Sequence, residues 1–409
     1  MRRSWCHLLN SLHGPEIARA TALMAILGSA GLLTTLPAIG QQGQDKADLA
    51  HRVVKTSVAV QPGDVVVIYG GRHQLDLMEQ LTMQADKAGG LTNMMVLSDK
   101  QQRAYWTEVP MEHLSIVPTY WKAWLSEVDV WIGLPVVQDP RAVYGDVPQE
   151  RFAAGAEATQ MFSDILNSTP LRFVFINLAT EQQAAAAGMD FERFSQMQGS
   201  AINADYGAIS KIGYAIADTL RRSQEVRITS PAGTDIQFSV AEREVFVNDG
   251  IVTEKEAKAG MFLQRIANLP GGQVFGSADE TSANGRVVVP MDQCNWQDVK
   301  DVTFEFRNGD MHEFEAAQGG SCINEILDPY EGPTRRFAGF SIGLNPHLEV
   351  DEKGAKFRPG NGAGMVYINV GNNQLLGGKN VTQTNYGFPV TEATVTIDGV
   401  TVVKDGTLQ

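Results

Sequence analysis

The stretch VVVIYG, Val65 to Gly70, is a run of mainly apolar residues introduced by Pro62-Gly63 and followed by the helical stretch LDLMEQLTMQADKAGG. A strand wetted on one face alternates apolar and polar residues, so an unbroken apolar run of this length fits a strand covered on both faces. Two further runs repeat the texture, VDVWIGL (128–134) and LRFVFIN (171–177), with an acidic, alanine-rich helical segment between them at roughly 149–166. Buried strands separated by helices predict a parallel sheet, and hence an N-terminal α/β domain.

Towards the N-terminus, Arg2, Arg3 and Arg19 precede the apolar run ATALMAILGSAGLLTTLPAIG, which ends in the small residues Ala38 and Gly40 just before Gln41. Basic residues, an apolar core and small residues three and one before a bond are the pattern of a secretory signal peptide, expected over residues 1–40. An uncleaved anchor is the alternative, against which stand Pro37 and the small-residue ending. The expected location is periplasmic or secreted, by general or twin-arginine export.

The chain has 409 residues, 43% hydrophobic and 20% charged, enough for two domains with a core each. Lys and Arg number 33 against 47 Asp and Glu; without residues 1–40 the counts become 30 and 46, a net charge of −16. So acidic a body disfavours nucleic acid and anionic membrane surfaces as partners. Beyond Cys6, only Cys294 and Cys322 remain, able to pair in an oxidising compartment or to stay as buried thiols.

Past the helical region of roughly 190–222 the texture changes to short β segments. EVRITSPAGTDIQFSV turns at Pro-Ala-Gly, and VTFEFRNGDMHEFEA turns at Asn308-Gly309, a strong hairpin signal. MVYINVG and ATVTIDGVTVV follow, so residues 41–225 are expected to form the α/β domain and 226–409 a β-rich α+β domain.

Motifs for common chemistries are missing. The Gly70-Gly71-Arg72-His73 turn lacks G-x-G-x-x-G spacing and a Walker lysine, so it reads as a strand-to-helix turn with His73 at the surface or as a cap. There is no G-x-S-x-G, and no pair of histidines has a zinc spacing; His312-Glu313-Phe314-Glu315 reads as the solvated face of a hairpin strand. Carboxylates gather at turns, among them Glu242, Glu244, Asp249, Asp279 and Glu280, and are mostly what so acidic a surface supplies. Asn167 and Asn380 stand in Asn-x-Ser/Thr, which matters only on a glycosylating route.

A set of motifs is more informative: INADYGAISKIGYAIADTL, ITSPAGTDIQFSV, VNDGIV, NLPGGQVFGSADETSANGRVVV, GFSIGLNP, GMVYINVG and GGKNVTQTNYGFP. In order and spacing, over about 48 to 405, this set resembles the aminopeptidase T family of thermophilic metallopeptidases and its 2,5-dihydroxypyridine dioxygenase relatives. The resemblance implies an aminopeptidase T-like fold, a homodimer, and two divalent metals held by carboxylates and histidines in the C-terminal domain. At the positions matching those ligands the chain has Gln273, Gly339, Tyr367, Asn385 and Gly387, and Gln374 stands near the family's assisting tyrosine. Divalent metals need anionic oxygen or neutral imidazole, so amides, a phenol and glycines imply loss of that site.

What remains around the expected cavity is Gln273, Asn284, Asn385, Tyr386 and Phe340 as substrate-binding residues, with Phe388 nearby and Tyr367 and Glu280 as groups able to move a proton. The expectation is a small, partly aromatic substrate transformed without cofactor or metal, by a lyase or isomerase. One alternative is a metal-dependent aminopeptidase using other ligands, from Asp279, Glu280, His347 and Glu349; a second is a non-catalytic binder of a small molecule or short peptide.

Overall fold

The computed structural model describes residues 39–409 except 117, 156–160, 162–163, 166–167, 295–296 and 349–358. The signal-peptide expectation, apart from its last two residues, and those for Asn167 and Glu349 lie outside these residues.

In chain order the first strands are β1 (Val65–Gly71), β2 (Leu91–Leu97), β3 (Val130–Gly133) and β4 (Arg172–Ile176), then β5 (Glu225–Thr229), β6 (Asp235–Ser239), β7 (Val245–Asn248) and β8 (Ile266–Leu269). There follow β9 (Gln273–Ser277), β10 (Asn284–Cys294), β11 (Gln297–Arg307), β12 (Asp310–Glu315), β13 (Phe337–Gly343), β14 (Val366–Gly371) and β15 (Asn385–Val390). The last three are β16 (Thr394–Ile397), β17 (Val400–Lys404) and β18 (Thr407–Leu408).

The first compact unit runs to Ala184 and takes up Gly250–Leu269. Its sheet is parallel throughout, in the order β2-β1-β3-β4-β8. The apolar runs read from sequence form β1, β3 and β4, and the last two are buried at every residue. At the entry to β4 the buried Arg172 donates to Asp64 at 2.6 Å and to the Val58 and Ala59 carbonyls, which satisfies its guanidinium inside the unit.

The second unit comprises Ala185–Asp249 and Pro270–Gln409. It has an eight-stranded sheet, β12-β11-β10-β6-β5-β16-β17-β18, and a five-stranded antiparallel sheet, β15-β14-β13-β9-β7. Phe238 of the large sheet meets Phe337 and Phe340 of the small one at 4.7 and 5.1 Å between ring centroids, and Phe304 meets Phe388 at 4.7 Å. One continuous apolar core therefore lies between the two sheets.

The division differs from a cut near residue 225. The helix Tyr206–Arg222 commits Ile209, Ile216 and Leu220 to the core of the β-rich unit, while Ile266–Leu269 returns to extend the parallel sheet beside β4. The hairpin at Asn308-Gly309 is present between β11 and β12, with φ of 51° and 82°. Both turn residues are left-handed, as a two-residue hairpin loop requires. Cys294, at the end of β10, is disulfide-bonded to Cys322 in the helix Gly320–Leu327, which settles the pairing left open by the sequence.

Candidate functional site

The five-stranded sheet has one apolar and one polar face, and strand register assigns each residue to a side. Directly opposed residues of an antiparallel pair share a face, and alternate residues of one strand share it too. Gln273 opposes Gly343 of β13 and Asn248 of β7. Ser341 opposes Tyr367, and Gly339 opposes Asn369. Asn369 in turn opposes Gly387, and Gly371 opposes Asn385. Gln273, Gly339, Tyr367, Asn385 and Gly387 thus stand on a single face, the one turned away from the core.

Hydrogen bonds tie this face together. Gln273 Nε2 donates to the Gly360 carbonyl at 3.2 Å, and an added Cβ at Gly360 would lie 3.7 Å from the Tyr367 ring, so the turn at Gly360 adjoins both side chains. Asn369 Nδ2 donates to Asn385 Oδ1 at 3.1 Å, and Asn385 Nδ2 donates to the Asn372 carbonyl at 2.9 Å. A Cβ at Gly387 would sit 3.2 Å from the Tyr367 ring and 3.4 Å from Asn369 Nδ2. Gln273, Tyr367, Asn369 and Asn385 are each half-buried. Asn369 is absent from the residues selected by sequence; strict alternation from Tyr367 and the N-x-G ending of β14 are the signals that could have found it.

Three of the selected residues fall elsewhere. Phe340 opposes Gly276 and Ile368, and Tyr386 opposes Val370, so both point into the core between the sheets. Tyr386 directs its hydroxyl to Asp292 Oδ2 at 2.8 Å. Asn284 is exposed at the start of β10, where its side chain donates to the Ser282 carbonyl and accepts from the Asn308 N–H, a turn brace rather than a ligand contact.

Glu280 also takes a different part. Only 5% exposed, it accepts from Arg243 Nη2 at 2.9 Å, from Asn373 Nδ2 at 2.9 Å and from the Lys379 N–H at 2.6 Å. Burial alone would raise its pKa, but these hydrogen bonds and the Arg243 charge outweigh it and hold the carboxyl below its ordinary range. A carboxylate so engaged is a poor proton carrier. Instead it anchors the segment after β14, whose Asn373 also donates to the Ala338 carbonyl and accepts from the Asn380 N–H. Asn380 is itself buried and donates to the Phe337 and Gly371 carbonyls, so this Asn-x-Thr is a structural brace and no acceptor for a glycan in the folded chain.

The polar face does not fit a pair of divalent metals. Its side chains are neutral amides, a phenol, hydroxyls and the stacked rings of Phe246 and Phe275, which lack the anionic oxygens and imidazoles such ions require. At Gly339 the backbone itself excludes a ligand, because an added Cβ would lie 2.2 Å from the Gly276 carbonyl oxygen. Among the described residues no three His, Cys, Asp or Glu side chains are grouped for metal binding. The other ligands considered do not converge either. Asp279 is held by the Thr281 N–H and hydroxyl, Glu280 by Arg243, and His347 lies exposed in the turn after β13.

Residues 44–355 match the profile of the thermophilic metalloproteases, M29. The chain belongs to that family. Among solved structures, wild-type AmpT from Thermus thermophilus aligns with a TM-score of 0.68 at 17% identity, covering 89% of this chain and 99% of its own. The 2,5-dihydroxypyridine dioxygenase from Pseudomonas putida KT2440 aligns with a TM-score of 0.61 at 14% identity, covering 90% and 97%. No curated protein sequence is similar enough to count as a relative. At these identities the structural likeness establishes a shared fold, and with it the aminopeptidase T-like architecture expected from the motifs. The family is by its description one of metalloproteases, whereas the polar face of the five-stranded sheet offers neutral groups.

Proposed function

We propose that the chain binds a small amide-bearing or aromatic molecule on the polar face of the five-stranded sheet and transforms it by acid–base chemistry without the family's two metals. The observation that carries this reading is the convergence of Gln273, Tyr367, Asn369 and Asn385 on one face whose positions for metal ligands hold neutral groups. Amides offer paired donors and acceptors suited to a peptide-like or heteroaromatic ligand, and the Tyr367 hydroxyl is the group able to move a proton. A lyase or isomerase step suits such a site. Export and a homodimer belong to the same reading, supported by the N-terminal sequence, by the motif resemblance and by the Cys294–Cys322 disulfide. Among the described residues no helix is long and apolar enough to cross a membrane.

The family match favours a second reading, a metal-dependent aminopeptidase whose ligands lie elsewhere in the chain. A panel of aminoacyl amides, dipeptides and hydroxylated pyridines, assayed with and without chelator, separates the two. The first reading expects chelator-insensitive turnover of at least one compound, lowered about 100-fold or more in Tyr367→Phe with an unchanged melting temperature. Turnover abolished by chelator and unaffected in Tyr367→Phe would assign the chain to the aminopeptidases.

A further inference from the structure

The parallel sheet carries a feature that the polar face of the other unit does not use. In the order β2-β1-β3-β4-β8, the chain leaves β1 to one side to form β2 and then crosses over to the other side to form β3. Connections from β1 and β3 therefore diverge, and a crevice opens beyond their carboxyl ends. In open α/β sheets this reversal point is the usual place for a ligand.

Here the crevice is a cleft of about 440 Å³ lined by Arg72, His73, Ser98, Asp99, Lys100 and Gln138. The residues come from the segments after β1, β2 and β3. Backbone closes its floor: Gly71 N–H donates to the Pro135 carbonyl at 3.0 Å, and a Cβ at Gly71 would lie 2.3 Å from the Val136 carbonyl oxygen and 2.5 Å from the His73 ring. Glycine is thus required for the two segments to approach so closely.

Charge in the cleft is unevenly committed. The Asp99 carboxylate accepts from the Gln138 and Asp139 N–H groups at 2.9 Å each, and so fastens the segment after β3 to the helix Asp99–Glu108. Arg72 and Lys100, by contrast, make no ion pair among the described residues. Asp99 brings a negative charge that faces His73, but its oxygens are turned to backbone N–H groups, so the two cations of Arg72 and Lys100 outnumber it and leave a receptor for negative charge. The turn lacks the glycine spacing that cradles a pyrophosphate, which points away from dinucleotides and towards one compact oxyanion group.

We propose that the crevice beyond β1 and β3 binds the phosphate or carboxylate of a small organic molecule through Arg72 and Lys100. The site is independent of the polar face in the second unit. Titration calorimetry of the full mature chain at low ionic strength, with inorganic phosphate and with succinate as probes, tests it and distinguishes the two anions. Saturable one-site binding of either probe is expected, weakened about tenfold or more in Arg72→Gln and in Lys100→Gln and weakened again by added salt. Both side chains are exposed, so the variants are expected to keep the wild-type melting temperature. No saturable binding of either probe, or wild-type affinity in correctly folded variants of both residues, would overturn the proposal.

Discussion

Glu280 shows how one residue changes meaning once its neighbours are known. In sequence it is one more acid at a turn; in the fold it is a buried anion paired with Arg243, whose side chain is only 12% exposed. Removing one partner of such a pair leaves an uncompensated charge, so Glu280→Gln should lower the unfolding free energy by about 3 kcal/mol in denaturant titrations at neutral pH. A loss below about 1 kcal/mol would show that the pair is not the anchor described. The sign of the pH dependence follows from the lowered folded pKa. The ionised group stabilises the fold above its unfolded value of about 4.3, and that contribution disappears as pH falls through the lower folded value. The difference between wild type and Glu280→Gln is therefore expected to be full at neutral pH and to shrink in acid below about pH 4.

Gly339 supplies a second test at this scale. A single Gly339→Glu change would restore a carboxylate in name, but the Gly276 carbonyl occupies the place of its Cβ. Strand β13 must shift to admit it, at a cost of about 1–3 kcal/mol. The variant is expected to melt earlier than wild type while gaining no bound metal by elemental analysis. Stable folding with added metal would mean that the backbone is more accommodating than its register implies.

At the scale of elements, much was legible and the remainder was hidden for definite reasons. Continuous apolar runs at 65–70, 128–134 and 171–177 showed buried strands because both faces of a parallel sheet are covered. The Asn308-Gly309 turn was legible because its backbone needs two left-handed residues. The return of Ile266–Leu269 to the parallel sheet was not legible, since a four-residue strand carries too little pattern to name its partner. Phe340 and Tyr386 were readable in principle. Each neighbours a residue of the polar face, and a period of two puts them on the other side. Asn369 follows from the same alternation, counted from Tyr367, whereas Asn373 was not legible because its importance lies in a partner 93 residues away.

The disulfide is the covalent counterpart at this scale. It closes a loop of 28 residues between the end of β10 and the helix Gly320–Leu327. Chain entropy of a loop of that length corresponds to about 3–4 kcal/mol. Replacing both cysteines by alanine should lower the denaturation midpoint by a corresponding amount, and an unchanged midpoint would show that the helix is held by its apolar contacts alone.

For the whole molecule, the chain has kept the architecture of the thermophilic metalloproteases while the polar face of its five-stranded sheet presents amides, hydroxyls and a phenol. Those are different inheritances. The fold depends on apolar faces and turn glycines spread along the chain, whereas a metal centre depends on a few anionic or imidazole side chains and can be lost while every strand remains. Elemental analysis of the protein, purified without chelator and dialysed against zinc, cobalt, manganese and iron, is the direct measurement. Far less than one equivalent of any of these metals is expected, with no aminoacyl-amide hydrolysis that chelation removes. One or two equivalents of tightly held metal, lost together with such hydrolysis on chelation, would show that a metal centre is present.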